Sequence, residues 1–118
     1  MVLEELLAPA GSYDVLVTAV NAGADAVYIA GENYGARAYA KNFTMEEIKK
    51  AVNYAHLNGA KIHVTVNTLI NNFEIVDVLK YLFELYKIGV DAVIVQDFGL
   101  IWLLKTFIPE KLDVYTYS

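Results

Sequence analysis

The chain has 118 residues, of which 57% are hydrophobic, and a formal net charge of −5. This acidic balance argues against direct nucleic-acid binding by this segment, because surfaces that bind the phosphate backbone rest on clustered lysine and arginine. The absence of cysteine excludes disulfides, thiolate nucleophiles and cysteine-ligated clusters within these residues. No apolar run approaches the roughly 18 residues of a membrane span and no signal sequence is recognised, so we expect a cytoplasmic protein.

Two predicted strands flank the first predicted helix. Residues 2–8 form an apolar strand, and Ser12 is placed to cap the helix that follows, because its hydroxyl can accept amide hydrogens of the first turn. This helix runs to about residue 22. Gly23 ends it, since glycine adopts the left-handed conformation without strain, and the second strand covers residues 26–30.

The longest predicted connection follows the second strand and ends at Phe43. A connection of this length is typically functional. The helix after it opens with the clearest local signal in the chain: Thr44 and Glu47 have the spacing of a capping box, and Phe43 and Ile48 that of a hydrophobic staple. We predict that this helix ends at Gly59.

The remaining predicted elements continue the alternation of strands and helices. The third strand covers residues 61–66, the third helix about 73–88 and the fourth strand 92–95. A short helix over about 100–107 and a fifth strand over 112–117 complete the order βαβαβαβαβ.

A repeated segment indicates which fold these elements build. GADAVYIAG at residues 23–31 returns as GVDAVIVQD at residues 89–97, with a weaker copy, GAKIHVTVN, at residues 59–67. A helix-ending glycine followed by a short apolar strand is typical of βα units, which form a parallel sheet covered by helices. We therefore predict a single α/β domain over residues 1–118. It is half of a TIM-type βα barrel or, alternatively, an open doubly wound five-strand sheet.

Polar residues follow several of the predicted strands. In both candidate folds, ligands bind at the carboxyl ends of parallel strands, so this position nominates site residues. Asp97 is the candidate catalytic residue, because an ionised carboxylate there can act as a base, although it can equally cap the next helix. Capping alone also explains Ser12, and pairing with Glu32 explains Arg37. The candidate substrate-binding residues are Ser12, Arg37, Asn42, Asn67 and Gln96.

The two histidines have structural interpretations. His63 alternates with Ile62 and Val64, so it faces the opposite side of the third strand, where a hydrogen-bonded core histidine is the favoured interpretation. His56 lies near the end of the second helix, where it suits the helix dipole. The sequence contains no metalloprotease motif and no nucleophile elbow, and no metal ligand is predicted.

Five short motifs occur in order along the chain. They are ELLAPAGS at residues 5–12, GADAVY at 23–28, Arg37 with Asn42-Phe43, VNT at 66–68 and VQDFG at 95–99. Together they resemble the amino-terminal half of the collagenase-like peptidases of family U32. The resemblance covers essentially the whole chain, and the combination of motifs is highly specific.

The resemblance implies the start of a βα barrel in a family of peptidases of unknown catalytic type. It also implies relatives that act as hydroxylation factors for transfer RNA, ribosomal RNA or ubiquinone, several of which hold an iron–sulfur cluster through cysteines beyond this half. No cofactor is therefore expected within this chain. The family pattern marks a pocket rim at residues 6–12, Arg37, Asn42, Asn67, Gln96 and Asp97, whereas the family's histidine near the fifth strand is absent from VYTYS at 114–118.

We therefore interpret the chain as the pocket-forming amino-terminal half of a collagenase-like peptidase, truncated relative to the family and inactive alone. The alternatives are half of an iron–sulfur-dependent RNA or ubiquinone hydroxylation protein, and a non-enzymatic, self-associating half-barrel. An open half-barrel leaves its first and fifth strands unpaired at the edges and its apolar layer uncovered. We therefore expect a homodimer that completes a barrel, or association with the missing second half.

Overall fold

The computed structural model describes residues 5–32, 42–66, 75–95 and 113–116. The predicted bounds of the second, third and fourth strands agree with the structure at every residue. Each of these strands follows closely on a helix-ending glycine, which made its start predictable. The predicted short helix over about 100–107 lies outside the described residues. The observed order is β1 (Leu7–Pro9), α1 (Tyr13–Asn21), β2 (Ala26–Ala30), α2 (Met45–Leu57), β3 (Lys61–Val66), α3 (Ile75–Lys87), β4 (Ala92–Val95) and β5 (Asp113–Thr116).

The five strands form one parallel sheet in the order β1-β2-β3-β4-β5. A doubly wound sheet reverses its strand order at a switch point, and this sheet does not. The doubly wound alternative is therefore wrong, and the α/β repeat runs in the strand order of half a βα barrel. The sheet is open, because in the described part of the chain β1 pairs only with β2 and β5 only with β4.

The three helices in the described part of the chain pack on the same face of this sheet. Leu16 of α1, Ile48 of α2 and Leu82 of α3 belong to one buried core. Alternate residues of the central strands complete that core: Val27, Ile29, Ile62, Val64, Val66, Val93 and Val95. We call this the helix face of the sheet and the opposite one the inner face.

The inner face carries a row of side chains at one level of the sheet. Tyr28 of β2 pairs in register with His63 of β3, which pairs with Ala92 of β4, which pairs with Asp113 of β5. His63 is therefore on the face opposite to Ile62 and Val64, as the alternation predicts.

Inner-face side chains of β3 and β4 are buried within the single chain. His63 is 5% exposed, Thr65 8%, Ala92 1% and Ile94 8%. The sequence-based expectation of an uncovered apolar layer is therefore wrong for these two strands. Large apolar side chains are exposed at other places, at Leu6, Leu7, Val15, Leu57 and Val76.

The predicted residues 2–4 of the first strand lie outside the described residues, and the strand ends one residue later than predicted. Within the described residues it covers Leu7–Pro9, and Pro9 pairs in register with Tyr28. Ala10 donates its N–H to the carbonyl of Tyr28 at 3.1 Å, so by the alternation of a strand the nitrogen of Pro9 points away from β2. Proline is tolerated there because β1 is an edge strand and no ladder hydrogen bond is lost.

The predicted starts of α1 and α2 are confirmed. Ser12 caps α1, and its Oγ accepts the N–H of Val15 at 3.3 Å. At α2 the Oγ1 of Thr44 accepts the N–H of Glu47 at 3.1 Å, while Oε1 of Glu47 accepts the N–H of Thr44 at 3.2 Å, which is a complete capping box.

Glycines end the helices as predicted. Gly23, Gly59 and Gly89 follow α1, α2 and α3 and have φ angles of 99°, 77° and 95°. In each case the chain then turns directly towards the next strand. α3 ends at Lys87, one residue before the predicted end, and its predicted start at residue 73 lies outside the described residues.

Candidate functional site

A cavity of about 170 Å³ lies at the carboxyl ends of β1 and β2. We call it the carboxyl-edge cavity. It includes Ser12 and Asn42, the two candidate substrate-binding residues that the structure describes. This is the position at which βα folds bind their ligands. The described residues that line it are Gly11, Ser12, Tyr13, Asp14, Asn42, Phe43 and Glu47.

The other candidate residues are not placed by the structure. Arg37, Asn67, Gln96 and Asp97 lie outside the described residues. Their roles in substrate binding and catalysis therefore stay predictions.

Backbone hydrogen bonds bring Asn42 to the cavity. The N–H of Glu32 donates to the carbonyl of Phe43 and the N–H of Phe43 donates to the carbonyl of Ala30, each at 2.8 Å. Together they form a parallel bridge between Gly31 and Phe43 just beyond the end of β2. Asn42, next to Phe43 in the chain, is thereby held beside the start of α1.

Two helix N-termini meet at this cavity. Residues from the start of α1 and from the start of α2 share the lining, and each helix contributes a carboxylate from its first turn, Asp14 and Glu47. The partial positive charge of a helix N-terminus stabilises a carboxylate in that position. The described lining holds no lysine or arginine, so it offers hydrogen bonds and proton acceptors rather than a clamp for an anion.

The aromatic ring of Tyr13 is held in place beside the cavity. The Nζ of Lys50 lies 4.3 Å from the centre of this ring, which is a cation–π contact. The ring of Tyr54 meets it edge-on at 6.3 Å and 66°, and the hydroxyl of Tyr54 donates to Oδ1 of Asn21 at 2.6 Å. Tyr13 is half-buried and is oriented by neighbours on α2.

Sequence reasoning did not assign Tyr13, Asp14 or Glu47 to the site. The sequence pattern explains Glu47 by the capping box and gives Tyr13 and Asp14 no role in ligand binding. The available signal was position, since all three lie in the first turns of helices that follow β1 and β2 and therefore face the same edge of the sheet.

A second cavity, of about 280 Å³, lies at the opposite edge of the sheet, where β3, β4 and β5 begin. We call it the amino-edge cavity. Its polar lining includes Lys61, His63, Asp91 and Asp113. Burial lowers the pKa of His63 below its ordinary value of 6.5, and the nearby carboxylates of Glu5 and Asp91 oppose this shift without cancelling it.

His56 has a partner that the helix-dipole interpretation did not include. Its Nε2 lies 2.7 Å from Oδ2 of Asp91, and the same oxygen accepts the N–H of Ile62 at 2.8 Å. Asp91 therefore joins the end of α2 to the start of β3. Residues at this edge of a βα barrel typically serve stability.

Two structural absences apply to the described residues. They contain no group of three or more histidine, aspartate and glutamate side chains that could hold a metal ion. None of the described helices is long and apolar enough to cross a membrane.

Comparison with known proteins decides the family. The sequence model of Peptidase family U32 matches residues 11–114. The chain belongs to peptidase family U32. The resemblance indicated by the sequence motifs is confirmed.

The U32 relatives have two kinds of name. The chain is 44% identical over 99 residues to 23S rRNA 5-hydroxycytidine C2501 synthase of Escherichia coli, covering 84% of this chain and 15% of that protein. It is 47% identical over 93 residues to tRNA hydroxylation protein P1 of Bacillus subtilis, covering 79% of this chain and 22% of that protein. It is 39% identical over 95 residues to a collagenase of Porphyromonas gingivalis, covering 79% of this chain and 23% of that protein. The chain thus spans less than a quarter of the length of each.

One solved structure supports the fold. Citrate synthase SbnG matches with a TM-score of 0.57 at 14% identity, over 96% of this chain and 51% of that chain. At this identity the likeness concerns the fold alone. SbnG is TIM-barrel-like, and the U32 chain matches about half of it, in agreement with the strand order of a half-barrel.

Proposed function

We propose that this chain forms one wall of the substrate pocket in a U32 protein that hydroxylates RNA, and that it turns over no substrate alone. The observation that carries the proposal is the carboxyl-edge cavity, where Ser12, Tyr13 and Asn42 meet between the N-termini of α1 and α2. Relatives that are 44% and 47% identical carry names of RNA hydroxylation, which supports this choice within the family.

The lining of the cavity suits a nucleobase. Proteins that bind single nucleotides combine an aromatic ring for stacking with groups that hydrogen-bond to the edges of the base. Here the fixed ring of Tyr13 lies beside the amide of Asn42 and the carboxylate of Glu47. Contacts to the RNA phosphates come from other parts of the protein, because this chain carries a net charge of −5.

We place the reacting groups outside this chain. The chain has no cysteine to act as a nucleophile or to ligate an iron–sulfur cluster. The hydroxyl of Ser12 accepts the N–H of Val15 as a helix cap, which explains its presence without a catalytic role. The segment thus supplies shape and hydrogen bonds to the pocket, and the rest of the protein supplies the chemistry.

The proposal is tested by a hybrid protein. This chain replaces the aligned segment of tRNA hydroxylation protein P1, and the hybrid is expressed in Bacillus subtilis cells that lack the gene for P1. Hydroxylated nucleosides in the tRNA are then measured by mass spectrometry. We expect the product to return with the hybrid, to fall about tenfold or more with Asn42→Ala, and to be unchanged with Lys49→Ala, an exposed residue of α2. No product from a soluble, folded hybrid contradicts the proposal.

A peptidase is the second candidate function. The family description and the 39% identity to a collagenase favour it. In this candidate function Asp97 is proposed as the catalytic base. The test is cleavage of gelatin by the purified chain. Cleavage that is lost in Asp97→Ala and kept in Lys49→Ala supports this candidate. Lys49 is the control because it is exposed, whereas its neighbour Lys50 contacts the ring of Tyr13 at the cavity.

We further propose that the isolated chain self-associates through the free edge of β5 and the exposed leucine side chains at β1. Within the described residues the sheet is open at β1 and β5, and Leu6 and Leu7 at β1 are 58% and 44% exposed. Unpaired strands and exposed apolar side chains both favour association. Light scattering during size-exclusion chromatography at micromolar concentration checks this. A single species at the monomer mass of 13.1 kDa contradicts it.

A further inference from the structure

A close contact joins α3 to the end of β2 beneath the bridge that carries Asn42. A Cβ atom added at Gly31 would overlap the hydroxyl oxygen of Tyr81 and would lie 3.3 Å from Cδ1 of Ile48. Tyr81 is 6% exposed and Ile48 is fully buried, so neither side chain has open space to retreat into. Gly31 is not among the glycines with positive φ. Glycine is therefore needed here for space, and not for an unusual backbone conformation.

Hydrogen bonds lead from this contact to the carboxyl-edge cavity. Gly31 lies between Ala30 and Glu32, whose backbone groups each make a 2.8 Å hydrogen bond with Phe43. Phe43 and Asn42 both line the cavity. A displacement of Gly31 therefore moves the bridge, and the bridge moves the wall of the cavity on which Asn42 lies.

We infer that Gly31 and Tyr81 are positioning residues of the carboxyl-edge cavity. The hydroxyl end of Tyr81 supports the backbone of Gly31 from the helix face, and this contact fixes the distance between the Asn42 wall and the start of α1. α3 itself contributes no residue to the cavity lining. The positioning contact between Gly31 and Tyr81 does not depend on the proposed function. Its effect on substrate turnover does rest on that function.

The geometric part is tested by amide hydrogen exchange in the 118-residue chain. Gly31→Ala is expected to speed exchange of the Glu32 and Phe43 amides by about tenfold or more, because the bridge is pushed away from β2. The amide of Ala10, which donates to Tyr28 on the other side of β2, serves as the internal control and is expected to change little. The double variant Gly31→Ala with Tyr81→Phe removes the overlapping oxygen, and we expect it to restore slow exchange.

The outcomes of this experiment decide the inference. Rescue by Tyr81→Phe supports it, and so does a Gly31→Ala chain that fails to fold while the double variant folds. Unchanged exchange in Gly31→Ala overturns it. It is also overturned if the double variant exchanges as fast as the single one or if both fail to fold, because the added methyl group then conflicts with something other than the Tyr81 hydroxyl.

The functional part is measured in the hybrid with tRNA hydroxylation protein P1. Gly31→Ala is expected to lower hydroxylated nucleoside about tenfold, and the added Tyr81→Phe to restore most of it, with Lys49→Ala as the unchanged control. A parent hybrid without product contradicts the proposed function, while hydrogen exchange still decides the positioning contact. A productive hybrid in which Gly31→Ala has no effect overturns the functional part of the inference.

Discussion

The carboxylate of Asp91 accepts the N–H of Ile62 at 2.8 Å, while the N–H of Asp91 donates to the carbonyl of Ile62 at 3.0 Å. Asp25 makes the same two bonds with Leu6, at 2.7 and 2.9 Å. Both aspartates occupy the third position of the glycine-led repeat, and each ties its own strand to the start of the preceding neighbour. These side chains therefore help to fix the register of β1 against β2 and of β3 against β4.

Removal of the Asp91 carboxylate is expected to cost more stability than removal of the Asp25 carboxylate. Asp91→Ala leaves the N–H of Ile62, a fully buried residue, without its acceptor, and we expect the free energy of unfolding to fall by about 2–3 kcal/mol. Asp25→Ala is expected to cost about 1 kcal/mol, because Leu6 is 58% exposed and water can replace the acceptor. Urea unfolding measures both. Glu84→Ala, an exposed substitution on α3, is the control, and equal losses in the two aspartate variants contradict this account.

Burial of His63 predicts a stability that rises with pH. Its pKa is lowered in the folded chain, so the unfolded chain binds more protons as the pH falls through 6.5. The free energy of unfolding is therefore expected to decrease from neutral pH down to the lowered pKa. Replacement by Gln removes the titrating group. The free energy of unfolding of His63→Gln is therefore expected to depend less steeply on pH over this window. Denaturant unfolding at several pH values measures the difference, and identical slopes for the two proteins would rule this contribution out.

The capping box of α2 is expected to act as a unit. Thr44→Ala removes the acceptor for the N–H of Glu47 and should lower the free energy of unfolding by about 1 kcal/mol. Thr44→Ser keeps the hydroxyl and should cost much less. Because Glu47 accepts the N–H of Thr44 in return, the double variant with Glu47→Ala should lose less than the sum of the two single losses. Strict additivity in thermal unfolding would show that the two bonds are independent.

Two glycines at helix ends separate backbone strain from crowding. Gly59 has a φ of 77° with no atom within 4 Å of an added Cβ, so Gly59→Ala should cost about 1 kcal/mol from conformation alone. Gly89 has a φ of 95°, and its added Cβ would lie 3.2 Å from Cγ1 of the buried Val52. Gly89→Ala should therefore lower the unfolding midpoint further than Gly59→Ala. The reverse order would show that Val52 moves aside at little cost.

The strands were predictable where local signals coincide. β2, β3 and β4 each combine a preceding glycine with an apolar, largely β-branched run, and their bounds agree with the structure. The predicted first strand ends at Ala8 and leaves out Pro9, but the missing N–H of this proline is harmless on the free edge of a sheet. The order of the strands in the sheet was not predictable from the repeat, because a local pattern does not specify which strands become neighbours.

The candidate site was predictable only in part. The rule that ligands bind at the carboxyl ends of strands placed Ser12 and Asn42 together, and both line one cavity. The contact between Gly31 and Tyr81 joins residues 50 positions apart, and neither residue has a local feature that signals the contact. The aspartates of the repeat could have been noticed, since Asp25 and Asp91 are the charged residues kept at one position of an otherwise apolar segment.

Pro9 also limits how copies of this chain can meet. Leu7 and Pro9 point their backbone groups away from β2, and only Leu7 carries an N–H, so the outer edge of β1 offers a single donor. A neighbouring chain cannot continue the sheet there as a regular ladder. Growth into an extended fibre needs a usable edge on both sides of the sheet, and within the described residues only β5 offers one. Exposed Leu6 and Leu7 can thus form side-chain contacts with another copy, while Pro9 opposes open-ended growth of the sheet.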